Sequence, residues 1–396
     1  MALIQSFYIN NRKKVGEQQE KNSIAIVFSG RAVEMSLDED YPFFASNNFY
    51  YLTGIREPNV VLIIKKDMDG LVTEKLFIEE ADPFKEKWVG KKIDKEQAQG
   101  LSGIEVIDYS KNLAKEIGEV DEVDSAKLLY FDFKIPEHQS FKTKDENVQK
   151  FLKQCKLRDL HPILAKMRMI KTPAEIVAIK KANAMTKEGF KEMRTLIKPG
   201  IYEYELAAFF EYFLKKAGAD GLAFESIVAS GKNATTLHYV SNHAKLKAGD
   251  LILFDLGARV NGYCGDISRT LAVNGEMTFI QEKIVRMVES VQKEMFLAYK
   301  PGAVMKKLQG LAKDLFLEKC CDAGFIPKNQ DITEFYYHGI GHSLGLDTHD
   351  LCPAGDLVLK PGMVLTVEPG LYMDKLGIGV RIEDDVVITA NGCEVL

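Results

Sequence analysis

"LKAGDLILFDLG", residues 246–257, returns as "LKPGMVLTVEPG", residues 359–370. Each line opens Leu-Lys, places a Gly fourth and runs through branched apolar residues to an acid followed two positions later by Gly. Asp255 and Glu368 fill the same slot. An acid closing an apolar strand is costly to bury unpaired, so two at matching positions imply a shared, positively charged partner.

The repetition extends outward from these lines. "KEMRTLIKPG" at 191–200 is matched by "KEMFLAYKPG" at 293–302, each ending a helical stretch at Pro-Gly. "DISRTLAVNG", from Asp266, aligns with "EDDVVITANG", from Glu383. Three matches in the same chain order predict a duplicated helix–hairpin unit. In the first copy Asn261-Gly262 is a two-residue hairpin signal. With Val260 paired to Tyr263, Asp255 faces Ser268 and Asp266 lies one diagonal step away, roughly 7 to 8 Å at the backbone. A bulge at Gly265 would shift that register. The second copy supplies Glu368 and Glu383, so two hairpins related by a pseudo-two-fold axis point four carboxylates at one place. Surface ion pairs are the competing reading, and the apolar flanks "LILFDLG" and "VLTVEPG" oppose it. Two divalent metal ions supply the missing charge. Mostly oxygen ligands favour Mn²⁺, with Zn²⁺, Co²⁺ and Fe²⁺ as alternatives.

Five of the seven histidines cluster around the acids: His238 and His243 shortly before Asp255, and His338, His342 and His349 between the two acid pairs. One suits a nitrogen ligand; others suit neutral hydrogen-bonding roles. His243 in polar "SNHAKLKAG" reads as a loop residue, as do His138 and His161.

With 396 residues the chain is long enough for two cores. The expected domains are 1–160 and 161–396. Residues 23–133 carry short apolar runs ("SIAIVFSG", "NVVLIIKK", "EKLFIEE", "GIEVIDYS", "KLLYFDF") that predict an α/β domain. A polar helical stretch follows. In "HPILAKMRMIKTPAEI", Thr172, Pro173 and Glu175 then form a capping signal that opens the second domain. A net charge of −5 without long like-charge runs argues against nucleic acid as a partner. No signal-peptide core and no run of 18 apolar residues occur, so neither export nor a membrane is expected. Six cysteines without a CxxC pair read as free thiols in a reducing, cytoplasmic setting, Cys264 as a buried thiol on a strand.

These residues resemble the metallopeptidase family with the pita-bread fold, shared by methionine aminopeptidase, prolidase and aminopeptidase P. The likeness covers nearly the whole chain and implies an α/β (α+β) architecture, with a creatinase-type domain before the duplicated catalytic one. The family's ligand order, Asp, Asp, His, Glu, Glu, matches Asp255, Asp266, His342, Glu368 and Glu383. By that match Asp266 and Glu383 bridge two metals, Asp255 completes one site, and His342 with Glu368 completes the other. "TLHYVSN", "HGIGHSLGLDTHD", "TVEPGLY" and "GIGVRIEDD" resemble the proline-specific branch, and "DYPFFASNNFYYLTGI" resembles its N-terminal domain. The resemblance assigns His238 and His349 to substrate orientation and intermediate stabilisation, and His338 to the substrate's vicinity. It gives Glu368 a proton-shuttling role. Arg381 matches a supporting arginine, with an ion pair to Glu383 or Asp385 as the plainer reading. Trp88, the only tryptophan, sits in a segment resembling one that reaches a neighbouring subunit's pocket; a core role is the alternative. The implied activity is hydrolysis of the first bond of peptides with proline second, by a metal-activated hydroxide, in a homodimer or larger homo-oligomer. Prolidase is the alternative activity, and a non-catalytic peptide-binding member the third.

Overall fold

The structure is a computed structural model that describes residues 3–118, 128–132 and 155–396. The chain divides into two compact units, Ala2–Met167 and Arg168–Leu396. His138 and most of the polar stretch after residue 133 lie outside the described residues.

The N-terminal unit is built on a six-stranded sheet. Its order is Ile107–Tyr109, Val72–Ile78, Val61–Lys66, Ser23–Phe28, Leu128–Phe131 and Lys156–Asp159. Five of these strands are the apolar runs read from the sequence. Ser23–Phe28 lies inside the sheet, antiparallel to Val61–Lys66 and parallel to Leu128–Phe131. Burial on both faces accounts for its unbroken apolar stretch Ile24 to Val27. The sixth strand, "KLRD", has no apolar run to announce it and, among the described residues, pairs along one side only. His161 is not a loop residue. It opens the helix His161–Met169, its N–H donates to the Asp159 carboxylate at 3.0 Å, and its Nδ1 lies 3.5 Å from buried Asp132. Trp88, on the short helix Glu86–Val89, is 69% exposed, which overturns the core alternative for it.

In the C-terminal unit the helix Pro173–Met193 starts where the sequence places it. Thr172 accepts from the Glu175 N–H, Glu175 returns the bond, and Pro173 needs no donor there. The helix Glu203–Lys216 follows, and together the pair buries Phe190, Met193, Leu206, Phe210 and Leu214 against Ile252, Phe254, Leu256 and Ile267 of the first hairpin. The second half repeats the plan. Helices Phe279–Ala298 and Met305–Asp322 bury Ile284, Val288, Val291, Leu308 and Phe316 against Leu365, Val367, Val386 and Ile388. Because side chains alternate along a strand, residues 252, 254 and 256 facing their helices leave Asp255 on the other face. Residues 365 and 367 do the same for Glu368.

The first hairpin keeps the register set by its turn. Val260 pairs with Tyr263 and Asp255 with Ser268; no shift occurs at Gly265. A Cβ on Gly257 would stand 2.3 Å from the Gly265 carbonyl oxygen, so the two strands approach closely only because glycine is there. In the second half Val367 pairs with Asp384 and Gly370 with Arg381, which carries Glu368 opposite Glu383. One bridge, Ser268 to Glu383, joins the two hairpins.

Candidate active site

A single register line therefore crosses both hairpins: Asp255, Ser268, Glu383, Glu368. Neighbours two residues along each strand share its face. Asp266 precedes Ser268, Arg381 precedes Glu383, and Thr366 precedes Glu368. Segment 340–343 adds one more strand-like edge: Ser343 bridges Leu365 and the Thr366 N–H donates to the His342 carbonyl at 2.9 Å. His342 thus arrives beside Glu368. It is held there by its own N–H, which donates to Thr366 Oγ1 at 3.0 Å.

Potential ligand atoms of Asp266, His342 and Glu383 lie within 4.8 Å of one another. His342 Nε2 is 3.7 Å from Asp266 and 3.5 Å from Glu368. Its Nδ1 lies 3.1 Å from the Ser343 carbonyl; donating there fixes the tautomer and leaves the Nε2 lone pair facing the acids. Burial pushes the Asp266 carboxyl well up, and Glu383, Asp255 and Asp385 add to the shift. Glu383 is raised well above its usual range by burial, Glu368 and Asp255, against the pull of Arg381. Glu368 is pushed up to about 7, chiefly by burial. Burial lowers His342, and lowers His338 to about 4 with help from Arg381. His349 is lowered by burial and then by His342, whose ring centre is 4.2 Å away.

Arg381 is buried and spans the two halves. Its Nη2 donates to Asp255 at 2.5 Å, Nε to Ser268 Oγ at 2.8 Å and Nη1 to Tyr372 OH at 3.0 Å. Its ion partner in the structure is Asp255, across the hairpin junction. The Ser268 hydroxyl passes a bond on to Glu383 at 2.7 Å. Tyr372 OH lies 2.8 Å from His338 Nε2, and His338 Nδ1 lies 2.8 Å from the Gly339 carbonyl. Both contacts suit a neutral imidazole. Even with Arg381 present, Asp255 Oδ1 and Asp266 Oδ1 are buried without a hydrogen-bond partner. One guanidinium cannot neutralise four carboxylates that line one cavity, and two orphaned buried oxygens in the same cavity as a free imidazole nitrogen are the kind of donor set a divalent cation takes.

One cavity of about 540 Å³ is lined by Asp255, Asp266, His342, Glu368 and Glu383, and also by His238, His338, His349 and Arg381. His238 and His349 are exposed on its wall, while Asp266, Arg381 and Glu383 are buried. His243 is exposed on a loop without regular structure and does not line the cavity. Cys264 is a buried free thiol on the strand Tyr263–Cys264. Sequence reasoning passed over Ser268, Thr366 and Tyr372. The two-residue alternation from Asp266 and from Glu368 already placed Ser268 and Thr366 on the acid face; no comparable signal pointed to Tyr372.

The sequence profile of metallopeptidase family M24 matches residues 177–390, and that of the aminopeptidase P N-terminal domain matches residues 8–130. The chain belongs to family M24, in its aminopeptidase P branch. The Xaa-Pro aminopeptidase of Escherichia coli (strain K12) is 32% identical over 407 residues, 97% of this chain and 92% of that protein. Proline aminopeptidase P II from Yersinia pestis superposes with a TM-score of 0.90 at 29% identity, covering 99% of this chain and 96% of its own. E. coli aminopeptidase P with the inhibitor Pro-Leu gives a TM-score of 0.90 at 28% identity, covering 100% and 95%. This M24 member is accordingly a metallo-aminopeptidase, a hydrolase with the creatinase-type N-terminal domain and pita-bread catalytic domain expected of the branch. The family implies a divalent metal, and the residues at the hairpin junction fit one. Among the described residues no helix is long and apolar enough to cross a membrane.

Proposed function

We propose that the enzyme removes the first residue of peptides whose second residue is proline, and that it does so with two divalent metals, Mn²⁺ being the expected ion. The observation that carries this reading is the cluster of Asp266, His342 and Glu383, with Asp255 and Glu368 lining the same cavity and two acceptor oxygens left over. Asp255, Asp266, His342, Glu368 and Glu383 would hold the metals. Bound there, such ions would lower the pKa of a water toward neutrality and would polarise the scissile carbonyl. Glu368, steadied by the Thr366 hydroxyl at 3.2 Å, carries the proton from the attacking water to the leaving amine. His238 and His349, exposed on the cavity wall, donate to the oxygen on which charge develops. Arg381 fixes Asp255 and, through Ser268, Glu383. His338, oriented by Tyr372, lines the substrate's path.

The protein works in the cytoplasm as a homodimer or larger assembly, and Trp88 bounds the pocket of a partner subunit. The exposure of Trp88 beside Phe84, ring centres 6.4 Å apart, supports a surface role for it. Trp88→Ala changes KM or the tripeptide-to-dipeptide preference with metal content intact. A strictly monomeric active enzyme in light scattering would sink the cross-subunit role. The activity is tested with purified protein, Mn²⁺, Xaa-Pro dipeptides and Xaa-Pro-Xaa tripeptides. Tripeptide cleavage with release of the first residue is expected. Cleavage confined to dipeptides would make the enzyme a prolidase.

A further inference from the structure

His238 sits on irregular chain. Among the described residues no helix or strand forms between 236 and 250, and the His238 side chain is itself exposed. The position of its imidazole is therefore only as good as the anchoring of the backbone on either side.

Buried Asn242 supplies part of that anchoring, accepting from the Val228 N–H at 2.9 Å and donating to the Ser226 carbonyl at 2.8 Å; the largest share converges on one other buried group. Glu203 is the first residue of the helix Glu203–Lys216 and is fully buried. Its Oε1 accepts from the Ser230 N–H at 2.7 Å, the Ser230 hydroxyl at 2.7 Å and Asn233 Nδ2 at 3.2 Å. Its Oε2 accepts from the Tyr239 hydroxyl at 2.9 Å and the Ala244 N–H at 2.8 Å. The Glu203 N–H donates in turn to the Ala244 carbonyl at 3.0 Å. Asn233 also donates to Tyr239 OH at 3.0 Å, so the upstream and downstream anchors touch. No Lys, Arg or His pairs with Glu203 among the described residues. Five donors and a helix N-terminus offset the buried charge instead. A carboxylate alone accepts at both ends; an amide of the same shape turns one end into a donor facing donors.

We infer that Glu203 is a positioning residue for His238, acting through Asn233 and Tyr239 on the backbone that carries the imidazole. The inference rests on the reading of His238 as a donor to the reacting oxygen. Misplacing a group by about an ångström costs up to about a hundredfold in rate.

A double-mutant cycle on the full-length, Mn²⁺-loaded enzyme with an Xaa-Pro-Xaa tripeptide tests it. Glu203→Gln is expected to lower kcat by about tenfold to a hundredfold, with metal content by elemental analysis unchanged. In the His238→Ala background the same change should lower kcat by no more than about twofold. An equal fall in both backgrounds overturns the inference, because a purely structural role does not depend on the imidazole. Unchanged kcat in Glu203→Gln overturns it too. If Glu203→Gln does not fold, Tyr239→Phe removes one anchor bond: a fall of about threefold to tenfold that vanishes without His238 is expected, and unchanged kcat overturns the inference. If His238→Ala alone leaves kcat unchanged, the role assigned to His238 fails first. That result comes from a variant with Glu203 intact, so the two failures are told apart.

Discussion

In the first half of the catalytic unit Asp255 stands opposite Ser268 and Asp266 lies a diagonal step away, whereas in the second half Glu368 and Glu383 face each other directly. The halves share helices, hairpin and core, so this difference lies in the site. Short acids serve the half whose carboxyls are staggered, long ones the half whose carboxyls are level. The edge beside each acid strand differs as well. In the alignment that equates Asp255 with Glu368, Ile227–Ser230 corresponds to 340–343, and both lie against their acid strand. Ala229 then occupies the place of His342. Only the second half sets an imidazole, that of His342, beside its acids, so the two halves of the site are unlike although the scaffold is duplicated.

The two cavity histidines extend the comparison. His238 follows the strand Ile227–Ser230 and His349 follows segment 340–343, so they stand in corresponding loops. Their loops are held by different chemistry. Glu203 gathers neutral donors around the first. Behind the second, buried Asp350 pairs with Arg168 and, at 3.0 Å, with Lys171, while the Asp350 N–H donates to the Ser343 carbonyl at 2.8 Å. Burial opposes its ionisation, yet Arg168 and Lys171 hold the Asp350 carboxyl below the usual range.

Breaking that ion cluster is expected to have the largest effect. Asp350→Asn leaves two buried cations short of a partner and should cost about 3 to 5 kcal/mol in urea unfolding at neutral pH. Because the Asp350 pKa is depressed on folding, its contribution is present above the unfolded value, about 3.9, and is lost as pH falls through the folded one. The penalty of Asp350→Asn should therefore shrink in strongly acidic buffer. A penalty independent of pH would remove the ion cluster from the account.

Next come the two cavity histidines. His349→Ala and His238→Ala should each lower kcat by about a hundredfold to a thousandfold with metal content near normal. Loss of metal from either would make it a ligand and undo the correspondence. The smallest effect is at the helix starts. Thr172 and Thr278 form matching capping boxes, with Glu175 and Gln281. Replacing either by Ala should cost about 1 kcal/mol in thermal or denaturant unfolding. A cost confined to one of them would show that the halves are not equivalent supports.

What the sequence made legible follows from short-range rules. The Asn-Gly turn and the two-residue period of a strand were enough to set Asp255 against Ser268, and the repeat was enough to find Glu368 and Glu383. The capping box at Thr172 was local as well. Arg381 was harder. Its position two residues before Glu383 suggested partners on its own hairpin, but the Ser268–Glu383 bridge brings it to Asp255 of the other half. The segment 340–343 was hidden because its bridge to the strand Val364–Val367 spans a loop without apolar periodicity. Glu203 gave no signal either, since its five donors come from separate turns of chain. His161 looked like a loop residue because its partner, Asp132, is distant in sequence.

The central claim is the proposal that the two unlike hairpins would jointly hold two metals, each of them needing both Asp266 and Glu383. Elemental analysis of metal per chain, on the wild-type enzyme and on Asp266→Ala and Glu383→Ala loaded with Mn²⁺, tests it directly. The account predicts about two ions per chain in the wild type and loss of both in either variant. Full two-metal occupancy in Asp266→Ala or Glu383→Ala would contradict it.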